Sequence, residues 1–302
     1  MSDRDDPMPA VVPAAKSRQT GHARQLLAMI GPVAFWMVCF VALPLALVIL
    51  VSFMQRGLYG GIEYEFTVSN YIKLMNPMYF KILWNSIELS LLATVICLVA
   101  GYPFAYFIAK SPKSVRGILL MLTILPFWTN SLVRTYAWIM LLRTEGLINN
   151  VLLSWGWIQA PLAMLYNETA VLIGLVYVLF PFMVLPLYTS IEKLDPALLE
   201  AAGDLGAAPY KTFFNITLPL TKPGIMAGSI LVFIPSLGYF FIPDLMGGSK
   251  TMLISNLIKN QFLTARDWPL GSAISIVLIV ITLLILFFYF RNAGSKEKLE
   301  VF

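Results

Sequence analysis

The chain has 302 residues, of which 59% are hydrophobic and 12% charged, with a net charge of +5 and a mean hydropathy of +0.78. Charged residues make up about a quarter of a typical soluble domain, so this composition excludes an ordinary water-soluble fold and predicts an integral membrane protein built as one domain. The one histidine, His22, lies in a polar N-terminal stretch, and Cys39 and Cys97 lie inside apolar runs. That placement argues against a buried His base, a metal centre or a disulfide. No basic stripe with interleaved aromatics offers itself to nucleic acid.

In chain order, residues 1–25 are rich in Pro, Ala and charge and read as a disordered tail. The apolar run after them is too long for the core of a signal peptide and lacks a small-residue cleavage site before the next span. A hydrocarbon layer about 30 Å thick takes roughly 20 apolar residues as a helix. Six charge-free runs qualify: Arg24 to Arg56, Glu88 to Lys110, Arg116 to Arg134, Glu168 to Glu192, Lys222 to Asp244 and Asp267 to Arg291. The third resumes after Arg134 as "TYAWIMLL" and is read as one helix from about Gly117 to Leu142. The predicted fold is all-α, with six transmembrane helices over residues 26–291, a polar loop over 193–222 and a second tail over 292–302.

Lys and Arg gather on the cytoplasmic side of membrane proteins. With the N-terminus inside, thirteen fall on that side, against seven on the other and Arg134 within a span. Both termini and the 193–222 loop are therefore expected in the cytoplasm, where the loop is either an amphipathic connector lying on the bilayer surface or a docking element for a cytoplasmic partner.

That loop contains "SIEKLDPALLEAAGDLGAAPYKTFFNITLPL". Asp195-Pro196 predicts a helix start, an N-cap followed by a proline that needs no N–H. Gly203 and Gly206 are expected to weaken or end that helix, Ala208-Pro209 to open a second carrying Lys211, Phe213 and Phe214, and Leu218-Pro219 to stop it. Glu200-Ala201-Ala202, Gly206, Ile216 and Leu218-Pro219 match, position by position, and so resemble the cytoplasmic EAA loop of binding-protein-dependent ABC importer permeases. The resemblance implies a coupling helix seated in a cleft of an ATPase subunit, with Glu200 making polar contacts there and Gly206 supplying the turn.

"GYPFAYFIAKSP" (101–112), "LPFWTNSLVRTYAWIMLL" (125–142), "GLVYVLFPFMVLPLYTSIEKLD" (174–195), "DLMGGSK" (244–250) and "RDWPLGSA" (266–273) resemble the spermidine/putrescine branch of these permeases. The resemblance implies the six-helix MetI-like permease fold in the bacterial inner membrane. It also implies four kinds of neighbour: a second, unlike permease, two ATPase subunits, an external solute-binding protein and the lipid itself. ATP would be used by the ATPases, with no cofactor on this chain. Related branches carrying opines or other organic amines share parts of these stretches and form the alternative cargo.

Six prolines, Pro103, Pro126, Pro181, Pro186, Pro235 and Pro243, lie in or at the ends of spans, where broken backbone is tolerated if it is buried in protein or lines a cavity. Arg134 is the clearest charge inside a span and is read as a structural ion pair or an external gate, beside Trp128, Asn130 and Tyr136. A cationic cargo calls for carboxylates and aromatic faces. Glu88, at the outer start of span two, and Asp244, at the outer end of span five, are the acidic candidates, with Trp128, Tyr136 and Tyr239 as walls. "GIMAG" (224–228) permits close helix contact, either within the subunit or with a second permease.

Rival functions lack their parts. No HExxH, GxSxG or paired intramembrane carboxylates mark an enzyme, and "GGSKT" (247–251) departs from a phosphate loop by placing serine before the lysine. An ion-coupled carrier would show repeated halves or several intramembrane acids, and neither is evident.

Overall fold

The computed structural model describes residues 30–248 and 251–297; the tail of residues 1–25, Lys250 and Lys298 lie outside the described residues. The chain divides into two units, Met1–Val51 and Ser52–Phe302. The described part of the first is helix α1, Ile30–Ser52, whose last residue belongs to the second unit. It is apolar around its circumference, as suits a helix solvated by hydrocarbon.

The second unit opens with a hairpin absent from the all-α expectation. Strands β1 (Met54–Arg56) and β2 (Ile62–Phe66) pair antiparallel, with Arg56 opposite Ile62. The "GLYGG" between them supplies the turn. Arg56 Nη2 donates to the Ala265 carbonyl at 2.7 Å, and the Gly61 N–H to the Arg266 carbonyl at 2.9 Å, so the hairpin is tied to a distant loop.

The helices then follow as α2 (Ser69–Leu74), α3 (Pro77–Lys110), α4 (Lys113–Ile124), α5 (Ser131–Leu142), α6 (Leu147–Ser154), α7 (Glu168–Glu192), α8 (Pro196–Asp204), α9 (Pro209–Leu220), α10 (Lys222–Gly238), α11 (Phe241–Met246), α12 (Ile254–Leu263) and α13 (Trp268–Glu297). Four of the helices among the described residues, α1, α3, α7 and α13, are each long and apolar enough to cross a membrane. Two bent pairs bring the total to six if each counts as one span: Lys113–Trp128 with Ser131–Ser154, bent by 91°, and Pro209–Leu220 with Lys222–Gly238, bent by 65°.

Three local expectations need correction. The run from Gly117 to Leu142 is not one helix. After α4 the chain tightens into a 3-10 turn, Leu125–Trp128, with Pro126 in its first turn. Thr129 is extended, and the Asn130 side chain accepts the Leu132 N–H at 2.8 Å, capping a new helix in a new direction. Leu218-Pro219 does not stop its helix either. Residues Phe213–Thr217 form a π turn, and the Leu218 N–H bonds back to the Phe213 carbonyl; this wider register carries the chain through Pro219, whose ring would crowd an α-helical turn, and the bend falls at Thr221. The fifth apolar run leaves helical form after Gly238 and resumes as α11, so Asp244 belongs to a separate short helix.

Helices α3, α7 and α10 pack on one another as the centre of this unit. On α7, Val171, Leu175, Leu179, Met183 and Leu187 are each 0% exposed. A step of four residues turns about 400°, so this series drifts around the helix and needs neighbours on more than one side. The "GIMAG" stretch makes its close contact within the subunit: a Cβ on Gly224 would lie 2.6 Å from the Pro186 carbonyl oxygen, and one on Gly228 would lie 2.7 Å from Met183 Sδ. Overpacking of this kind costs about 1–3 kcal/mol. Gly224→Val should therefore lower the thermal midpoint of the detergent-solubilised protein. Gly203→Ala, at a helical position with nothing within 4 Å of the added Cβ, should hold or raise it; a Gly224→Val protein melting like wild type would show that this contact does not support the fold.

Candidate functional site

Residues 193–222 form a built element. Asp195 is extended, its carboxylate accepts the Ala197 N–H at 2.9 Å, and Pro196 begins α8, as the sequence predicts. At the other end the Leu205 N–H bonds the Ala201 carbonyl at 3.1 Å and the Ala207 N–H bonds the Ala202 carbonyl at 3.0 Å, while Gly206 between them has φ +77°. This is the glycine-closed helix end. An added Cβ at Gly206 would meet nothing within 4 Å, so glycine is needed there for its backbone angle and not for space.

Glu200, Ala201, Gly206 and Pro219 are exposed, Ala202 is buried, and Ile216 and Leu218 are half-buried. Leu198, Leu205, Tyr210 and Phe214 are exposed as well, Leu205 by 89%. The surface is thus an apolar rim around two exposed carboxylates, Glu200 and Asp204, on a helix fixed at both ends. A patch of this kind marks an interaction surface more often than a lone exposed leucine does.

The loop is anchored to the helical core. Thr221 Oγ1 donates to the Thr217 carbonyl at 2.8 Å, which leaves the Tyr102 hydroxyl to donate to Thr221 Oγ1 at 2.9 Å, and this contact is buried. The Tyr102 ring meets Phe213 edge-on at 5.4 Å. At the same end of the bundle Arg116 Nη1 pairs with Glu192 Oε1 at 2.6 Å, and Nη2 donates to the Ala109 carbonyl at 2.8 Å. One guanidinium therefore ties the end of α3, the start of α4 and the end of α7 beside the point where the loop begins.

The candidate cargo residues do not converge on one site. Arg134 is buried, with its guanidinium carbon 5.2 Å from the centre of the Phe127 ring and 5.9 Å from that of Tyr177. Neither ion pair among the described residues includes it, so the expected structural ion pair for Arg134 is not found among those residues. Tyr239 lies within electrostatic reach of Arg134 at the break after α10. Asn130 is used as the helix cap of α5, while Trp128 and Tyr136 are exposed.

Asp244 is engaged. Lys259 Nζ lies 2.5 Å from its Oδ2, and Asn256 Nδ2 3.3 Å from its Oδ1. Glu88 lies eleven residues into α3, not at its start. It opens on a separate cleft of about 280 Å³ that also holds Lys81, Asn85, Glu168 and Thr251. Sequence reasoning missed Lys259, Asn256 and Glu168 as neighbours of the acidic candidates. Lys259 and Asn256 are spaced i, i+3 on α12, a signal that one helix face presents both to a single group.

Comparison with known proteins agrees with this architecture. Residues 101–294 match the family described as binding-protein-dependent transport system inner membrane component. The chain is 51% identical over 270 residues to the spermidine/putrescine transport system permease protein PotB of Escherichia coli (strain K12), covering 89% of this chain and 98% of that protein. It is 49% identical over 267 residues to the PotB of Haemophilus influenzae, covering 88% and 93%. The crystal structure of a bacterial alginate ABC transporter in complex with its alginate pentasaccharide-bound periplasmic protein contains a chain of the same fold, with a TM-score of 0.76 at 19% identity, covering 94% of this chain and 98% of that one.

Tyr102→Phe removes one buried hydrogen bond and leaves Thr221 its carbonyl partners, at a cost of about 1 kcal/mol. The variant should fold, melt slightly earlier and show faster proteolysis within 193–222; a cleavage pattern like that of wild type would mean that this bond does not hold the loop to α3.

Proposed function

This chain belongs to the binding-protein-dependent transport system inner membrane component family, and we propose that it lines the translocation pathway of an ATP-driven importer whose cargo is a polyamine, spermidine or putrescine. It is a multi-pass inner-membrane protein and a transport subunit, not an enzyme. The observation that carries the cargo class is identity of about one half, over nearly the whole chain, to permeases named for spermidine and putrescine.

In this reading the chain works with a second, unlike permease, two ATPase subunits and an external solute-binding protein, with both of its termini in the cytoplasm. ATP is consumed by the ATPases. Their movement enters through α8, where Glu200 and the apolar rim dock, and Gly206 keeps the second helix at a fixed angle to the first. A helix capped at both ends transmits displacement, whereas a loose loop would absorb it. From there Tyr102–Thr221 and the bend at Thr221 hand the movement to α3 and α10.

The cargo residues act by charge. Ammonium groups bind carboxylates by charge-assisted hydrogen bonds and aromatic rings through their faces. Lys259 occupies on Asp244 the kind of place a cargo ammonium would take, so an arriving amine exchanges like for like. Glu88 and Glu168 give the cleft on α3 two carboxylates against the one ammonium of Lys81, a balance suited to a dication. Trp128, Tyr136 and Tyr239 supply ring faces, and Arg134 closes the outer end.

Two measurements test this. Affinity purification from native membranes should recover an ATPase and a second permease with the wild-type chain, and Gly206→Asp should lose the ATPase; its retention at wild-type level would sink the coupling role. Labelled spermidine uptake should then fall about tenfold in Asp244→Asn, on the scale of a lost charged hydrogen bond, with the complex still assembled. Unchanged uptake would remove Asp244 from the pathway.

A further inference from the structure

Asp244 is held from both sides. Asn256 Nδ2 lies 3.3 Å from its Oδ1, and Lys259 Nζ 2.5 Å from its Oδ2. The two contacts differ in how readily they give way. Asn256 is 4% exposed and also donates to the Phe240 carbonyl at 2.8 Å, so the backbone fixes it. The Lys259 and Asp244 side chains are 27% and 38% exposed, and a partly exposed ion pair is worth little because water takes up each charge when the pair opens.

The carboxylate keeps its place without Lys259. Helix α11 is wedged against α7, where a Cβ on Gly174 would lie 2.8 Å from both Ile242 Cγ2 and Met246 Sδ. Its start is pinned by Ser255 Oγ, which donates to the Tyr239 carbonyl at 2.7 Å. Asn256 engages Oδ1, which leaves Oδ2 to one ammonium. Phe240 precedes Asp244 by one turn and its carbonyl accepts the Asp244 N–H at 3.1 Å, so an aromatic residue, 46% exposed, stands on the same side of the helix as the carboxylate.

The side chain on Oδ2 is itself a butylammonium, four methylenes ending in a primary ammonium. Putrescine is the same unit with a second amine at its other end, and spermidine has one aminobutyl and one aminopropyl end. The space around Oδ2 thus already accepts a primary ammonium on an unbranched four-carbon chain. An aminopropyl end would bring the next ammonium one carbon nearer, where Lys259 has hydrocarbon.

We infer that Lys259 is a built-in stand-in for the cargo: it fills the seat on Asp244 that the aminobutyl end of putrescine or spermidine takes, and it is displaced when that end arrives. This rests on the polyamine reading above, to which it adds the residue that sets how tightly the seat is held and the end of the cargo that enters it. One ammonium replaces another, so the charge on Asp244 stays balanced and Lys259 returns its own charge to water.

The test is equilibrium binding of labelled putrescine to the complex purified through this chain, in lipid nanodiscs and without added solute-binding protein. Lys259→Met removes the competing ammonium and should tighten binding about two- to fivefold, the worth of a partly exposed ion pair. Lys259→Met combined with Asp244→Asn should lose that gain. If Lys259 only braced α11 against α12, its loss would weaken binding instead. Lys259→Gln covers the case in which Lys259→Met fails to fold. Monoacetylspermidine with its aminobutyl end free should displace the label at lower concentration than the isomer acetylated at that end. Unchanged or weaker binding in the Lys259 variants, a gain that survives Asp244→Asn, no saturable binding, or equal competition by the two isomers would each overturn the inference. Labelled spermidine uptake by the intact transporter separates the two failures: uptake alongside any of those results leaves the polyamine reading standing, and no uptake by the wild type ends both.

Discussion

A helix that stops inside or at the edge of a bilayer leaves amides and carbonyls that lipid cannot satisfy, so the protein must meet them itself. Much of this architecture answers that constraint. At the break after α10, Ser255 Oγ donates to the Tyr239 carbonyl at 2.7 Å and Asn256 Nδ2 to the Phe240 carbonyl at 2.8 Å. At the break before α5, Thr129 Oγ1 donates to the Pro126 carbonyl at 2.8 Å, and Asn130 caps the next helix. Broken spans therefore come with polar side chains attached, and one of these, Asn256, also reaches a candidate cargo residue. Helix α12 shows the double use most plainly, since Asn256 both closes the backbone gap and touches Asp244.

The same constraint explains why α7 is uninterrupted. With α4–α5 and α9–α10 bent, an unbroken span packed on several sides supplies a fixed reference, and α7 keeps Pro181, buried, and Pro186, half-buried, inside a continuous helix. The segment that carries α8 meets the helical core at two contacts, Thr221 with Tyr102 on α3 and, where the segment begins, Arg116 with Glu192 at the foot of α7. The first is short and hydrogen-bonded to a buried tyrosine; the second is partly open to solvent and correspondingly weaker.

What was legible in the sequence was whatever depends on neighbours along the chain. Asp195-Pro196 and Gly206 announce a helix start and stop because capping and backbone angle are local. The spans could be counted because charge is excluded over a whole apolar run. The bend at Thr129 was hidden by the same averaging: two small polar residues, Thr129 and Asn130, change the hydropathy of a long window very little yet redirect the helix by 91°. The π turn before Pro219 was hidden because proline specifies a problem, not its solution. Lys259 as the partner of Asp244 was out of reach because the contact depends on how α11 and α12 fold back on each other. The hairpin at 54–66 is too short and too exposed to leave a strong alternating pattern.

The shortness of α5 has a consequence for how the protein is made. Its twelve residues extend about 18 Å, well short of the roughly 30 Å hydrocarbon layer, and they carry an arginine whose stacking partner Tyr177 lies on a helix synthesised later. By itself the segment is too short to cross the hydrocarbon layer, and it does so only as part of the bent pair with Lys113–Trp128. Its seat against Tyr177 is complete only once Glu168–Glu192 has been made, so α5 finishes its packing after a helix that follows it in the chain.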